Sequence, residues 1–166
     1  MIRLVRAELP LLEAALAGDD ALAEALGHAV APGWATFAGA LRVERNTVAA
    51  SRNGAAWGPR LFVAGDPPEL VGWGGFKGAP RGGVVEVGYE IAASRRGRGL
   101  ATAATRAMLA EAFADGRVRT VIAHTLPEPN ASTRVLEKAG FRFEREARQG
   151  ENVVWRFAIG RPVADP

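Results

Sequence analysis

A strand, a glycine turn and a helix follow one another without a linker in residues 84–114, and this order limits the fold more than any other feature of the sequence. Val84–Ile91 places Val85, Val87, Tyr89 and Ile91 on one face and Glu86, Gly88 and Glu90 on the other, which is typical of a strand with one buried face. Gly97 and Gly99 mark a turn, and an alanine-rich helix is predicted from about Gly99 to the end of this stretch. A further strand is predicted for Val118–Thr125. The helix is therefore expected to cross between two parallel strands of one sheet.

The remaining elements place a helical first third before a strand-rich remainder. Helical patterns cover 10–17, 19–27 and 35–50, and a last helix begins at Asn130 or Ser132 and ends at Ala139. Hairpins are predicted for Leu61–Ala64 with Leu70–Phe76 and for Phe141–Arg145 with Val153–Ala158. The sequence therefore predicts an α+β fold, with a mixed, mostly antiparallel sheet, one parallel strand–helix–strand crossover and helices on both faces. Residues 1–166 are expected to form a single domain.

Composition excludes several kinds of chemistry. The chain has no cysteine, which rules out disulfides, thiolate metal sites and a cysteine nucleophile. Its two histidines, His28 and His124, lie far apart in the sequence, so we predict no metal site. The net charge is only +3 and the basic residues are spread along the chain, which argues against a nucleic-acid partner. No segment has the pattern of a signal peptide or a membrane span, and we expect a cytoplasmic protein with no membrane partner.

The turn between the strand and the helix has the chemistry of a binding site for a di- or triphosphate. A helix start leaves backbone N–H groups without partners, and the helix dipole attracts anions to that end. Two glycines allow the backbone to approach a ligand, while Arg95, Arg96 and Arg98 add positive charge. Neither a lysine nor a Ser or Thr follows Gly99, which excludes a P-loop. Thr102 occupies the third glycine position of a dinucleotide-binding motif, which excludes that site as well.

Two sequence blocks carry a resemblance to a known family. Arg-x-x-Gly-x-Ala at residues 96–101, placed after a strand and opening a helix, resembles the acyl-CoA motif of the GNAT N-acetyltransferase superfamily. The wider run Val85–Thr102 looks like the subgroup that contains the ribosomal-protein N-terminal acetyltransferases. The later runs His124–Glu128 and Ser132–Phe141 are similar to a second block of that subgroup. Two blocks in the right order and on the right elements make the resemblance specific, and it covers about residues 60–158.

The resemblance implies how the coenzyme is held. It places the pyrophosphate of acetyl-CoA on the backbone amides of the turn, and the pantetheine arm beside the preceding strand and the start of the last helix. The coenzyme-binding residues that it implies are Glu90, Ile91, Arg96, Gly97, Arg98, Gly99, Leu100, Ala101, Thr102 and Asn130. The strands Val84–Ile91 and Val118–Thr125 are expected to splay apart where the thioester enters. Asn130 also suits a helix cap, and this alternative stays open.

The resemblance further implies direct attack of an amine on the thioester, with no covalent enzyme intermediate. The acid that many relatives use is a tyrosine whose position is Leu136 here, so Ser132 becomes the candidate acid, with a helix-capping hydroxyl as the alternative. Glu86, on the strand beside the acceptor cleft, is the candidate base, with an exposed strand carboxylate as the alternative. His124 ranks below Glu86, because a lone histidine near a strand end is more often structural.

The function that follows is transfer of an acyl group, acetyl by the family's default, from acyl-CoA to a primary amine of a small molecule or a protein N-terminus. The alternative is a catalytically inactive CoA-binding sensor or interaction module, because the usual tyrosine is missing. The expected partners are acyl-CoA and an amine acceptor, and a homodimer is expected from the family. Trp34, Trp57 and Trp73 are candidate walls of the acceptor pocket, with core packing as the alternative.

Overall fold

A mixed sheet of eight strands runs through the protein in a computed structural model that describes residues 1–163. The strands are β1 (Ile2–Arg6), β2 (Ala29–Val30), β3 (Pro59–Ala64), β4 (Glu69–Phe76), β5 (Val84–Ile91), β6 (Thr120–Thr125), β7 (Arg142–Gln149) and β8 (Asn152–Gly160). The helices are α1 (Leu9–Ala17), α2 (Asp19–Leu26), α3 (Ala38–Ala50), α4 (Leu100–Ala114) and α5 (Ala131–Lys138), and a short 3-10 turn covers Ala93–Arg95. None of these helices combines the length and the hydropathy that crossing a membrane requires.

The order of the strands confirms the predicted fold class. It is β1-β3-β4-β5-β6-β8-β7, with β2 paired to β4 off this path. β5 and β6 are parallel and are joined through α4, which is the predicted crossover, while the two-residue strand β2 is also parallel to β4. The prediction missed β1 and β2. Ile2–Arg6 is short and carries two arginines, so only its pairing with β3 defines it as a strand.

Two apolar clusters lie on opposite faces of the sheet, so the prediction of helices on both faces is confirmed. One cluster packs α4 and α5 against strand residues, and Val87 and Met108 are buried within it. The other packs α1, α2 and α3 on the opposite face, around Leu41 and Trp73. Because β5 alternates, Val87 faces the first cluster, whereas Glu90 faces the second and accepts a hydrogen bond from the Trp73 indole. The two faces of β5 therefore serve two different layers.

Helix boundaries differ from the prediction where tertiary contacts intervene. Aspartate favours N-cap positions, but Asp19 is the first helical residue of α2 and Gly18 is the N-cap. α3 begins at Ala38 rather than at residue 35, and the backbone N–H of Thr36 donates to the carboxylate of Glu90 on β5. This contact holds the chain before α3 against the sheet.

β5 and β6 diverge along their length. Their ladder joins only Val84–Glu86 with Thr120–Ile122. Beyond it, among residues 1–163, β5 pairs only with β4, and β6 pairs only with β8. The two strands therefore splay as expected, and the edge of β5 from Val87 to Ile91 has no strand partner on the β6 side.

Candidate active site

The diverging strands open a cleft of about 850 Å³. Its walls come from the unpaired part of β5, the end of β4, the start of α5 and the first turns of α3. One end, which we call the turn end, is formed by residues 96–102, where Arg96 and Ala101 line the cleft. The other, which we call the α3 end, is formed by the side chains of Glu44, Trp73, Lys77 and Glu90.

The turn end is built from main-chain donors. Gly97 and Gly99 have φ values of 73° and 74°, left-handed values that favour glycine, although a Cβ at either position would meet nothing within 4 Å. The 15-residue helix α4 follows directly, and no side chain caps its first turn. Within the described residues, none of the successive N–H groups from Gly97 to Thr102 donates to a protein acceptor, and the first helical bond runs from Ala103 to Gly99. Such a run of free amides at the positive end of a helix is an anion site.

The three arginines of the turn differ in their contacts. Arg95 donates two hydrogen bonds to the Glu69 carboxylate, at 2.6 and 2.8 Å, and these bonds hold the pKa of Glu69 below its usual value. Arg96 Nε donates to the carbonyl oxygen of Ile91 at 3.1 Å, while its side chain lines the cleft. Arg98 is exposed and makes no hydrogen bond or ion pair within the described part of the chain. Arg96 and Arg98 are therefore the guanidinium groups available to a phosphate.

The start of α5 forms the wall that faces β5. Asn130 caps the helix, because its Oδ1 accepts from Thr133 N and its Nδ2 donates to the Glu128 carbonyl, both at 3.0 Å. The hydroxyl of Ser132 takes no part in the cap, makes no hydrogen bond within residues 1–163 and lies on the cleft wall. Capping therefore belongs to Asn130 and not to Ser132. The pantetheine contact of Asn130 and the acid role of Ser132 stay predictions.

Tyr89 reaches the same wall from β5, and the sequence gives no signal of this contact. Its hydroxyl donates to the carbonyl oxygen of Ser132 at 3.2 Å, across 43 positions of sequence. Burial raises the pKa of Tyr89 to about 12, so the phenol keeps its proton at neutral pH. Tyr89 is the sole tyrosine of the chain and lies on a strand, away from the helical position of Leu136, so its place in the sequence does not suggest an acid. The fold nevertheless brings a protonated phenol to the start of α5.

Glu86 and His124, which the sequence predicts separately, form one cluster with Lys77. Glu86 Oε1 accepts from Lys77 Nζ and lies against His124 Nδ1, both at 2.9 Å. A carboxylate only accepts, so Nδ1 carries the proton in this pair. Burial raises the pKa of Glu86, but the hydrogen bonds from His124 and Lys77 outweigh it, and the net pKa is lowered. A carboxylate with a lowered pKa is a weak base, and neither Glu86 nor His124 lines the cleft itself. Their catalytic roles stay predictions.

Glu90 ties β5 to the segment before α3. Its Oε1 accepts from Thr36 N at 2.5 Å and its Oε2 accepts from Trp73 Nε1 at 3.0 Å. Trp73 lines the cleft, and Trp34 is buried behind it with the two rings edge to face at 6.3 Å between centroids. Both carboxylate oxygens of Glu90 already accept hydrogen bonds at the α3 end. The coenzyme contact predicted for Glu90 would therefore involve its main-chain atoms.

Glu44, on α3, is a cleft carboxylate that reasoning from the sequence missed. It is half-buried, lines the cleft and makes no hydrogen bond or ion pair within the described residues. Burial raises its pKa, an effect that the positive charge of Lys77 reduces. A smaller pocket of about 340 Å³ adjoins the cleft beside Trp57 and shares Glu44, Phe76 and Lys77 with it. No sequence signal marks Glu44, because 35–50 has the pattern of an ordinary amphipathic helix and only the fold brings it to the cleft.

Fold and cleft together define a class of protein: an α+β domain with splayed central strands and a main-chain anion site at the start of its crossover helix. A family model described as an acetyltransferase (GNAT) domain matches residues 1–142. The chain therefore belongs to the GNAT acetyltransferase family, which confirms the resemblance found in its two sequence blocks. Membership supports acyl-CoA-dependent acetyl transfer in general.

Solved structures with the same fold include several acetyltransferases. The aminoglycoside acetyltransferase AAC(6')-Ib in complex with coenzyme A is 18% identical, with 97% of this chain and 95% of that chain covered and a TM-score of 0.67. Ribosomal-protein-S5-alanine acetyltransferase from Vibrio fischeri is 14% identical, with 99% and 94% covered and a TM-score of 0.68. Mycobacterium smegmatis RimJ in complex with CoA-disulfide is 23% identical, with 96% and 80% covered and a TM-score of 0.66. No curated protein sequence matches the chain significantly. At these identities the likeness shows the fold.

Proposed function

We propose that this protein transfers an acyl group, acetyl by the family's default, from acyl-CoA to a primary amine by direct attack. The observation that carries the proposal is the run of unpaired amides from Gly97 to Thr102, at the mouth of a cleft between splayed strands. The coenzyme, when bound, supplies an activated thioester. The acceptor amine belongs to a small molecule or to a protein N-terminus.

The residues of the turn end fit a pyrophosphate. The amides of Gly97–Thr102 supply donors that have no protein acceptor in the described residues, and Arg96 and Arg98 supply charge beside them. The edge of β5 through Glu90 and Ile91 has no strand partner on the β6 side, which leaves room for a pantetheine arm to run alongside it. These two features support coenzyme binding along one continuous wall.

The remaining task of the protein is to align the reactants and move protons. Alignment alone lowers such a barrier by about 7–11 kcal/mol in ideal cases. Two hydroxyls on the cleft wall are placed to protonate a departing thiolate: that of Ser132, which is unbonded within the described residues, and the phenol of Tyr89, which keeps its proton at neutral pH. Glu86 stays the predicted base from the sequence, and its lowered pKa weakens that prediction.

Calorimetry with CoA tests the proposal through a matched pair of variants. Gly99→Glu places a carboxylate at the anion site and should weaken CoA binding by at least about 100-fold, because it adds repulsion where the helix dipole attracts a phosphate. Gly27→Glu is the control, since Gly27 has a similar φ of 69° and equally open space but caps α2. Equal CoA affinity in the two variants, or no binding of millimolar CoA to the unchanged protein, would show the proposal to be wrong.

A CoA-binding sensor or interaction module without catalysis is the alternative function. Leu136 favours it, because this residue stands at the family's tyrosine position, is fully buried and offers no proton. An acyl-transfer screen over diverse primary amines separates the two, with free CoA read by a thiol reagent that meets no cysteine in the protein. Tight CoA binding with no CoA release on any amine would favour the sensor, and release with any amine would exclude it.

Three further expectations stay predictions. They are the cytoplasmic location, the homodimer and the extent of the single domain over residues 1–166, of which 164–166 lie outside the described residues. Light scattering at increasing protein concentration would measure the assembly directly.

A further inference from the structure

Two carboxylates, Glu44 and Glu90, line the α3 end, and a third, Glu86, binds the cleft lysine Lys77 without lining the cleft itself. Glu86 and Glu90 are already engaged. Glu86 accepts from a lysine ammonium and faces a histidine N–H. Glu90 accepts from a backbone amide and an indole N–H. Glu44 has no protein donor within the described residues, although it is half-buried and lines the cleft. A buried or half-buried carboxylate without a partner is costly to a folded protein, so its persistence on a cleft wall points to a ligand that supplies the missing donor.

The space beside Glu44 is fixed by the fold. Gly74 and Gly75 of β4 line the same cleft and leave its floor without side chains. A Cβ at Gly74 would overlap the Gly88 carbonyl oxygen and lie 2.7 Å from the Tyr89 Cα, so only glycine fits at this position while β4 and β5 stay paired. This part of the cleft wall is therefore formed by main chain.

We propose that Glu44 contacts the acceptor amine, pairing with it as an ammonium ion and taking up one of its protons. This inference rests on the proposed acyl transfer and assigns its acceptor class: a primary amine that is cationic in solution and carries no acidic group beside the nitrogen. Glu90 adds negative charge at the same end, while Lys77, which lines this end, is already paired with Glu86, and this balance favours a cation.

The step balances in atoms and electrons. The ammonium gives one proton to the Glu44 carboxylate and becomes a neutral amine. The nitrogen lone pair then forms the bond to the acyl carbon as the carbon–sulfur bond of the acyl thioester breaks, and the sulfur leaves with the bonding pair. The second N–H proton ends on that sulfur, with Ser132 or Tyr89 on the cleft wall to relay it. The products are the amide, CoA as its thiol and a protonated Glu44, which returns its proton to solvent.

Two properties make Glu44 the better proton acceptor of the cleft. Burial raises the pKa of Glu44, whereas hydrogen bonds lower the pKa of Glu86, so Glu44 holds a proton more readily. Lys77 Nζ is bound to Glu86 at 2.9 Å, and within the described residues no ion pair joins Lys77 to Glu44. An arriving ammonium would therefore be the first direct partner of the Glu44 carboxylate.

Glu44→Gln is the test, with Glu13→Gln as the matched control. The assay follows CoA release with the primary amine that gives the highest turnover from a panel of alkyl diamines, aminosugars and peptides with free N-termini. We expect Glu44→Gln to lower kcat/KM for that amine by about 100-fold or more. Calorimetry on the CoA-loaded protein should show the same amine binding at least about 10-fold more weakly. Glu13 lies on α1 in an exposed pair with Arg45, so its variant should match the unchanged protein in both measurements.

Folding of the variant is checked separately. Replacing Glu44 with glutamine removes no hydrogen bond of the described residues. Because burial disfavours the ionised form of Glu44, the variant should unfold at the same temperature as the unchanged protein or at a higher one. CoA affinity should also be unchanged. Glu44→Asp serves as a second variant and should retain intermediate turnover, because it keeps the charge on a shorter side chain.

The outcomes separate this inference from the function on which it rests. Turnover of Glu44→Gln within about threefold of the unchanged protein, with CoA binding intact, would overturn the role of Glu44 and leave the acyl transfer standing. An unchanged protein that releases CoA with no amine would overturn the proposed function, and the role of Glu44 with it. Loss of turnover together with loss of CoA affinity would contradict an acceptor contact, because it would place Glu44 on the coenzyme.

Discussion

At the turn end of the cleft the polar groups come from consecutive residues and belong to the main chain, whereas at the α3 end each of them is a side chain from a different part of the sequence. The amides of Gly97–Thr102 are set by one turn and one helix start. Glu44 comes from α3, Lys77 follows β4 and Glu90 comes from β5. A local site needs only its own backbone conformation, while an assembled site depends on the packing that brings its parts together.

This difference predicts which kinds of substitution affect each end of the cleft. Changes that disturb packing should alter the α3 end and leave the turn end able to bind CoA. Changes to backbone φ or to charge within the turn should weaken CoA binding and leave the α3 end intact. The three predictions that follow test this separation, from the largest expected effect to the smallest.

Arg60 supplies the largest expected effect, because its buried side chain joins the loop after α3 to Glu111 on α4. Its side chain is 1% exposed, its Nε donates to Glu111 at 2.9 Å, and its terminal nitrogens donate to the carbonyls of Ala55 and Ala56 at 2.7 and 2.9 Å. Arg60→Met keeps much of the volume but removes these bonds, and the Ala55 carbonyl then keeps only the N–H of Gly58 as a donor in the described residues. We expect the free energy of unfolding, measured by urea denaturation, to fall by about 3–5 kcal/mol.

A surface arginine gives the control for this change. Arg45 pairs with Glu13 at 3.1 Å on exposed helices, so Arg45→Met should cost less than about 1 kcal/mol. CoA affinity of folded Arg60→Met should stay within about threefold of the unchanged protein. If folded Arg60→Met lost its CoA affinity, the separation of the two ends would fail, because the turn end would then depend on the same packing.

Glu86 tests the electrostatics of the α3 side. Its folded-state pKa is lowered below the unfolded value, so its ionised form stabilises the fold above the unfolded pKa, and this stability is lost as the pH falls through the folded pKa. Glu86→Gln should therefore reduce the free energy of unfolding by about 1–2 kcal/mol at neutral pH. The difference should shrink steadily in urea titrations below pH of about 4.

Glu146→Gln is the control for the pH series, because Glu146 is exposed on β7 and its change should be close to neutral throughout. A Glu86 variant whose loss of stability is the same at neutral and acidic pH would contradict a charge effect. The turnover of Glu86→Gln should also fall less than that of Glu44→Gln, and the opposite ranking would return the base role to Glu86.

The parts of the molecule that the sequence predicts well are the local ones. β5 has the predicted bounds of Val84–Ile91, and the two turn glycines have the left-handed φ that their position requires. Each of these features follows from the spacing of neighbouring residues. The sequence does not predict β1, since Ile2–Arg6 is a strand only through its pairing with β3.

The parts that the sequence does not predict are contacts between distant residues. Tyr89 and Ser132 meet across 43 positions, and no spacing rule connects them. Glu44 lies in an unexceptional helix, and what distinguishes it, half-burial in a cleft without a protein donor in the described residues, is a property of the assembled layers. The sequence predicts Glu86 and His124 separately. Only the fold shows that Glu86 Oε1 and His124 Nδ1 lie 2.9 Å apart and that the pKa of Glu86 is lowered.

Asn130 gives the smallest and most discriminating prediction, because it caps a helix locally and also lines the cleft. Asn130→Ala should cost about 1 kcal/mol through the lost cap. Asn130→Asp keeps the acceptor for Thr133 N and adds charge at a favourable helix end, but it loses the donor to the Glu128 carbonyl, so stability should fall by less than about 1 kcal/mol. Because both polar atoms of the side chain are used, on Thr133 and on the Glu128 carbonyl, CoA affinity in Asn130→Asp should change less than about threefold. A larger loss, measured by calorimetry, would mean that the Asn130 amide binds pantetheine. The coenzyme would then depend on a side chain from α5 as well as on one local turn.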